Sequence, residues 1–212
     1  MAARWMVLLA LTLLTGCTSS GDLPDGATVL SKSSDAMRSV TSTHFTIKVE
    51  GDLPDVNVKD AVGDLTNTGD SKGNAKVSLG GNLVQIEYVL VEKNLYFKGP
   101  TGGFTKLPAA FAGQVYDPTA ILNPDKGVAN VLKSSKDAKT ESAGDQTVVN
   151  AVVPKDVIAK LVPGISGDVK AKYTVDKENR LVQGLFELTG GQKVQIGLSD
   201  FNKSLTITAP TT

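Results

Sequence analysis

From His44 onward, apolar residues fall at every second position: Phe45, Ile47 and Val49 alternate with Thr46, Lys48 and Glu50. A period of two puts one side of an extended chain against a core and the other in water. The same alternation predicts strands through Val56, Val58 and Val62, through Ala75, Val77 and Leu79, and through Val84, Ile86, Tyr88 and Leu90. Further strands are expected at 95–97, 149–153, 169–175 (Val169, Ala171, Tyr173, Val175), 181–188, 194–198 and, last, Leu205 to Ile207. Turns separate them at Gly51–Asp55, Gly80-Gly81-Asn82, Glu92-Lys93-Asn94 and Gly190-Gly191. About ten short strands at hairpin spacing predict a largely antiparallel sheet.

Four segments break the alternation. Leu30, Met37 and Val40 recur at helical spacing within 27–40, with Asp25 placed to cap the first turn. Tyr116-Asp117-Pro118 opens a short helix through Ile121 and Leu122, and Asn123-Pro124-Asp125 precedes another carrying Val128, Val131 and Leu132. A fourth runs from Pro154 to Leu161, with Pro163 as its stop. Four short helices cannot cover both faces of so wide a sheet. The fold class predicted is therefore α+β, a strongly bent sheet with helices against one face. The pentapeptide GDLPD occurs at 21–25 and 51–55, but the flanks do not match, and two Pro-Asp turns account for it.

The N-terminus follows neither pattern. Arg4 precedes an apolar run from Trp5 to Leu14, the length of a signal-peptide core and too short to span a bilayer, which needs roughly twenty residues. The run ends in Leu14-Thr15-Gly16-Cys17, which resembles a bacterial lipobox. That resemblance implies a diacylglycerol on the Cys17 thiol and cleavage before it. Residues 1–16 then read as signal peptide, 17–26 as a polar lipidated tether and 27–212 as a single domain. No other stretch approaches membrane-spanning length, so the lipid on Cys17 would be the membrane anchor, on the outer face of the cytoplasmic membrane.

Composition narrows the chemistry. One His and one Cys exclude a zinc finger, a HExxH protease and an internal disulfide. There is no GxSxG, GxxxxGK[ST] or GxGxxG, no metal site and no cofactor motif. His44 has no second His or Cys to work with and reads as a turn or surface residue. Asp60, Asp64 and Asp70 lack the Gly and Glu spacing of a calcium loop. The 22 Lys+Arg balance 22 Asp+Glu, and the lysines are scattered rather than clustered with aromatics, which argues against nucleic acid. Lys93, Lys98 and Lys106 could alternatively meet anionic lipid head groups.

What is plentiful is small aliphatic side chains on the inward strand positions: Ala75, Val77, Val84, Val149, Ala151, Val169, Ala171 and Gly184. A solid core alternates such residues with large ones. A bent sheet lined by Val and Ala could instead leave a cavity, and the pattern alone leaves both readings open.

The central segment, Tyr116-Asp117-Pro118 through Asn123-Pro124-Asp125-Lys126-Gly127 to Leu132, closely resembles the YDPxxxLNPDxGLANVL signature of the mycobacterial LppX/LprA/LprF/LprG lipoproteins, most of all the LprG/LprA branch. Ser42-Thr43-His44, Gly63-Asp64-Leu65-Thr66 and Gly73-Asn74-Ala75-Lys76-Val77 with Gly80-Gly81 fall in the same order. Two positions depart from the family: Tyr173 stands where a Trp is common, and Phe201-Asn202 replaces a Trp-Gly pair. The resemblance implies a half-barrel with short helices on its concave face, enclosing a hydrophobic cavity. Its wall would include Ala75, Val77, Leu79, Val84, Ile86, Tyr88, Val149, Ala151, Val169, Ala171 and Tyr173. It further implies multi-acylated lipid or glycolipid cargo of the phosphatidylinositol mannoside, lipoarabinomannan or triacylglycerol type, moved through the cell envelope without covalent chemistry, with an envelope lipid exporter as a partner. The rival reading is a scaffolding lipoprotein with a filled core that docks onto such a transporter.

Overall fold

A computed structural model describes residues 23–53, 56–107, 118–162 and 164–212. Helix α1 (Gly26–Arg38) starts where the Asp25 carboxylate accepts a hydrogen bond from the Thr28 amide at 2.8 Å. Val29, Leu30, Ser33, Ser34 and Met37 form its buried stripe. Strands β1 (Ser42–Glu50), β2 (Val58–Thr66), β3 (Ser71–Leu79), β4 (Asn82–Val91), β5 (Asn94–Lys98) and β6 (Thr105–Leu107) follow as successive hairpins. A 3-10 turn (Pro118–Leu122) and helix α2 (Val128–Ser134) come next. Strands β7 (Lys136–Ser142) and β8 (Thr147–Val153), the one-turn helix α3 (Lys155–Ile158), and β9 (Val169–Val175), β10 (Leu181–Glu187) and β11 (Lys193–Ser199) complete the order.

All eleven strands form one antiparallel sheet, in the order β6-β5-β4-β3-β2-β1-β11-β10-β9-β8-β7. The sheet is two meanders, β1–β6 and β7–β11, joined along β1 and β11, where His44 to Glu50 pair with Ser199 to Lys193. It is open and strongly curled. Register shifts at Val58/Asp60, at Leu181/Gln183 and twice between β7 and β8 increase the local twist. Gly63 and Gly73 face each other across β2 and β3 so closely that a Cβ on either would collide with a neighbouring carbonyl. The helices lie over the C-terminal meander, where α1 packs on α2, β7 and β8.

The predicted strands form except the last. Residues 203–212 join no ladder, although Leu205 and Ile207 alternate with polar neighbours. The position beside β1 that such a strand would take is already filled by β11, and Ser42 Oγ instead pins the segment through the Lys203 carbonyl at 2.6 Å. Strands β6 and β7 were not legible: β6 has three residues, and KDAKTES in β7 has no apolar alternation because an edge strand needs none. The helix expected from Tyr116 is a 3-10 turn from Pro118, and Tyr116 and Asp117 lie outside the described residues. Pro124 disfavours the α conformation at Asn123, so the turn ends there.

Candidate functional site

The register assembles a row of positions on the concave face, all apolar side chains except at Gly184. Ile86 lies opposite Ala75, Ala75 opposite Ala61, Ala61 opposite Ile47, and Ile47 opposite Ile196. Ile196 is opposite Gly184, Gly184 opposite Tyr173, and Tyr173 opposite Val149. Eight strands contribute, and at about 4.8 Å per strand the row is roughly 34 Å long. Expected wall residues from both wings, far apart in sequence, thus share one surface.

Closure varies along that row. Ile86 is half-buried and packs against the core, Ala75 and Ala61 are 8% exposed, and Tyr173 and Val149 are fully buried. Val77, Ala151, Val169 and Ala171 are buried as well, and Val84 is half-buried. Under the helices the space is filled: the Tyr173 ring meets Phe186 edge-on at 6.0 Å, and its hydroxyl pairs with Ser135 Oγ at 2.9 Å. Burial pushes the Tyr173 phenol well above its ordinary ionisation range. Tyr88 is anchored in the same manner at the other wing, its hydroxyl 3.0 Å from Ser71 Oγ.

Leu79 departs from the wall assignment. It follows Ala75 and Val77 in the alternation, yet it is 54% exposed at the tip of the β3–β4 hairpin. Period two identifies the face of a strand but not how far that face stays covered. Leu83, across the turn, is 67% exposed.

Two cavities lie on the concave side among the described residues. The larger, about 160 Å³, is bounded by Met37, Arg38, Asn67, Ile121, Leu122, Pro124, Val128 and Ala129, where the end of α1 meets the β2–β3 turn and α2. Arg38 and Asn67 make its lining partly polar, unlike a sealed apolar void. A narrow cleft of about 10 Å³ lies at the other end of the central strands between Ile47, Val49, Leu53, Val56, Val58, Val162, Val194 and Ile196. Neither is lined by the expected wall residues. Met37, Ile121, Leu122 and Val128 were readable as apolar helix positions, whereas Arg38 and Asn67 carried no sequence signal.

The signature segment builds one side of the larger cavity. Asn123 Oδ1 accepts from the amides of Asp125 at 3.0 Å and Lys126 at 3.2 Å, and the Asn123 carbonyl accepts from the Gly127 amide at 2.8 Å. A Cβ at Gly127 would lie 2.3 Å from the Ile121 carbonyl oxygen and 2.5 Å from that of Asn123. Pro118 is buried at the start of the 3-10 turn, and the Pro124 carbonyl faces Arg38 Nη1 at 3.5 Å. These residues therefore fold the linker tightly and set α2 against α1. The hydroxyl of Ser34 completes the joint by donating to the Ala129 carbonyl at 2.7 Å.

His44, Asp60, Asp64 and Asp70, singled out in the sequence, each have a partner. His44 Nδ1 meets Asp64 Oδ1 at 2.8 Å, both side chains about one-third exposed, and Thr43 Oγ1 donates to the Ser199 carbonyl at 2.7 Å. Asp60 approaches Lys76 at 3.9 Å and Asp70 accepts from the Glu92 amide, so the three aspartates have separate partners. No group of three metal-ligating residues occurs among the described residues, and no described helix is long and apolar enough to cross a membrane. Lys98 and Lys106 lie over Phe104 and Tyr96, while Lys93 is in the turn at the far end of β4, so the three form no common patch. Cys17 lies outside the described residues.

A wide, curled antiparallel sheet with an apolar concave face and a few short covering helices defines an open half-barrel. Two solved structures share this fold: LprF from Mycobacterium bovis (TM-score 0.77, 24% identity, covering 88% of this chain and 97% of that one) and lipoprotein LppX from Mycobacterium tuberculosis (TM-score 0.65, 16% identity, 86% and 97%). A sequence profile described as LppX_LprAFG lipoprotein matches residues 25–207, and the chain belongs to that family. Among its relatives are proteins named lipoarabinomannan carrier protein LprG. That of Mycolicibacterium smegmatis is 32% identical, the alignment covering 95% of this chain and 92% of the relative, and that of Mycobacteroides abscessus is 31% identical over 96% and 94%.

Proposed function

We propose that the protein is a non-enzymatic lipid carrier that takes the acyl chains of a lipid or glycolipid onto the concave face of its sheet. The observation that carries this reading is the apolar row on the more open wing, where the register sets Ile86, Ala75, Ala61 and Ile47 side by side on the concave face. A chain of roughly sixteen carbons costs on the order of 13 kcal/mol to expose to water. An apolar channel offsets that cost while a sugar or phosphate head stays wet. The LprG relatives, named as lipoarabinomannan carriers, support a lipid or glycolipid of the lipoarabinomannan class as cargo, and phosphatidylinositol mannoside or triacylglycerol would offer the same kind of acyl chains. Acylated Cys17 would hold the protein at the outer face of the cytoplasmic membrane. There it would exchange lipid with the bilayer and pass it through the envelope, with an exporter as the supplying partner.

Ala75→Trp and Val77→Trp test the wall. Ala75 is second in the row and Val77 lies beside it on the same face of β3, and either change replaces a smaller side chain there with a large one. In a filled core such overpacking costs about 1–3 kcal/mol. On a face that yields to cargo, the indole occupies the space of an acyl segment at little cost. Native mass spectrometry of the full chain purified from membranes should show bound lipid in the parent and clearly less in both variants, with unchanged melting temperature. Parent protein that carries no lipid, or variants that melt early with lipid content unchanged, would support the scaffolding reading instead.

A further inference from the structure

The β3–β4 hairpin ends in a tip that the carrier reading does not use. From Val77 to Ile86 the sequence is VSLGGNLVQI, ten residues without a charge in a chain that is 21% charged. The apex is Gly80-Gly81, both at positive φ (56° and 83°), as a tight two-residue hairpin turn requires. Among the described residues the exposed large hydrophobics are Leu23, Val62, Leu79 and Leu83, and two of these four flank this turn. Leu79 lies opposite Asn82 and Leu83 opposite Ser78, so the leucines project from opposite faces of the hairpin. Charge begins at Lys76, which approaches Asp60 loosely at 3.9 Å, and at Glu87, which faces Lys98 at 3.7 Å.

We infer that this tip dips into the surface of a phospholipid bilayer. A folded partner presents one surface and would touch one leucine or the other, whereas a fluid interface surrounds both. At about 3.4 Å per residue, Lys76 sits roughly 14 Å above the apex, where a cation meets phosphate head groups while the leucines reach the acyl boundary. On the concave face exposure falls inward along β4, from half-buried Val84 and Ile86 to buried Tyr88, while on β3 exposed Leu79 gives way at once to buried Val77 and Ala75, which lie opposite Val84 and Ile86. That gradient is a ramp along which an acyl chain can leave the bilayer for the row. The inference rests on the carrier reading for its purpose, though not for the contact itself.

The chain has a single Trp, Trp5. Cleavage before Cys17 would remove Trp5, so in the anchored protein Leu83→Trp places a lone indole at the tip, and Lys177→Trp places one in the β9–β10 turn at the opposite end of the sheet. The full chains are reconstituted through their own anchors into vesicles of phosphatidylcholine with phosphatidylinositol, with and without bromine on the acyl chains. The tip indole should be blue-shifted and quenched by brominated lipid severalfold more than the control. A tip spectrum like that in water, or one equally blue-shifted without vesicles because another copy covers it, overturns the inference. In a second arm, Leu79→Asp/Leu83→Asp should slow lipid transfer between vesicles about tenfold or more while bound lipid stays at the parent level. Transfer at the parent rate overturns the ramp. Bound lipid measured on the same samples separates the two claims: an unquenched tip on lipid-loaded protein sinks only the tip, and a quenched tip on lipid-free protein sinks only the carrier.

Discussion

Asn202 holds a left-handed turn with its side chain. Its φ of 60° is left-handed, where asparagine is tolerated better than other non-glycine residues. Its Oδ1 accepts from the Thr41 amide at 2.8 Å and the Thr41 hydroxyl at 3.1 Å, and its own amide donates to the Ser42 carbonyl at 2.9 Å. The neighbouring Phe201 ring stacks under the Arg180 guanidinium at 4.7 Å. Asn202→Ala should therefore lower unfolding free energy by about 2 kcal/mol, through lost acceptors and backbone strain together, and Asn202→Gly by about half that, read from urea denaturation. Tyr173 makes a pH prediction. Its phenol ionises far less readily folded than unfolded, so its contribution is intact below about pH 10, the ordinary tyrosine value, and is lost as pH rises above it. Tyr173→Phe should lose about 1 kcal/mol at neutral pH with the Ser135 hydrogen bond, and its stability should fall less steeply than the parent's above pH 10. Both residues stand out in the sequence, but what they hold in place does not.

At the scale of elements, the sequence was most readable where burial is one-sided. Period-two runs such as Phe45–Ile47–Val49 and Ala151–Val153 place the strands inside the sheet's two edges, because a one-residue slip would turn their whole apolar set to water. The edges gave no such signal: β7 faces solvent and is broken by two register shifts with Asp137 at positive φ, features that disfavour pairing with another chain. Alternation also overreached at Leu79, where the hairpin outruns the layer beneath it. The linker between the 3-10 turn and α2 was legible as a motif and unexplained as structure until Gly127 was seen among three carbonyls. Gly127→Ala should cost about 2–3 kcal/mol and shift α2 off α1, measurable as early melting with faster amide exchange in both helices.

At the scale of the whole molecule, bentness and antiparallel order were legible because hairpin spacing and too few helices leave little else. The sharing of work between the wings was not. The helices close the C-terminal meander, where Tyr173 and Phe186 fill the interior, and leave the inner face of β3 and β4 more open. Strand periodicity cannot report that asymmetry, since it depends on which stretch of sheet a helix reaches. The expected wall residues are thus of two kinds, those locked beneath helices and those on the more open wing, and the tryptophan substitutions belong on the open side.

The junction of β1 with β11 has a consequence for how this protein is made. One of the first strands to leave the ribosome waits for the last, some 150 residues later, before its free border is covered. Until residue 199 arrives, each nascent half carries a raw, greasy margin suited to sticking to anything extended nearby. Closure of the sheet is therefore the slow step its topology sets, whatever cargo the finished molecule goes on to hold.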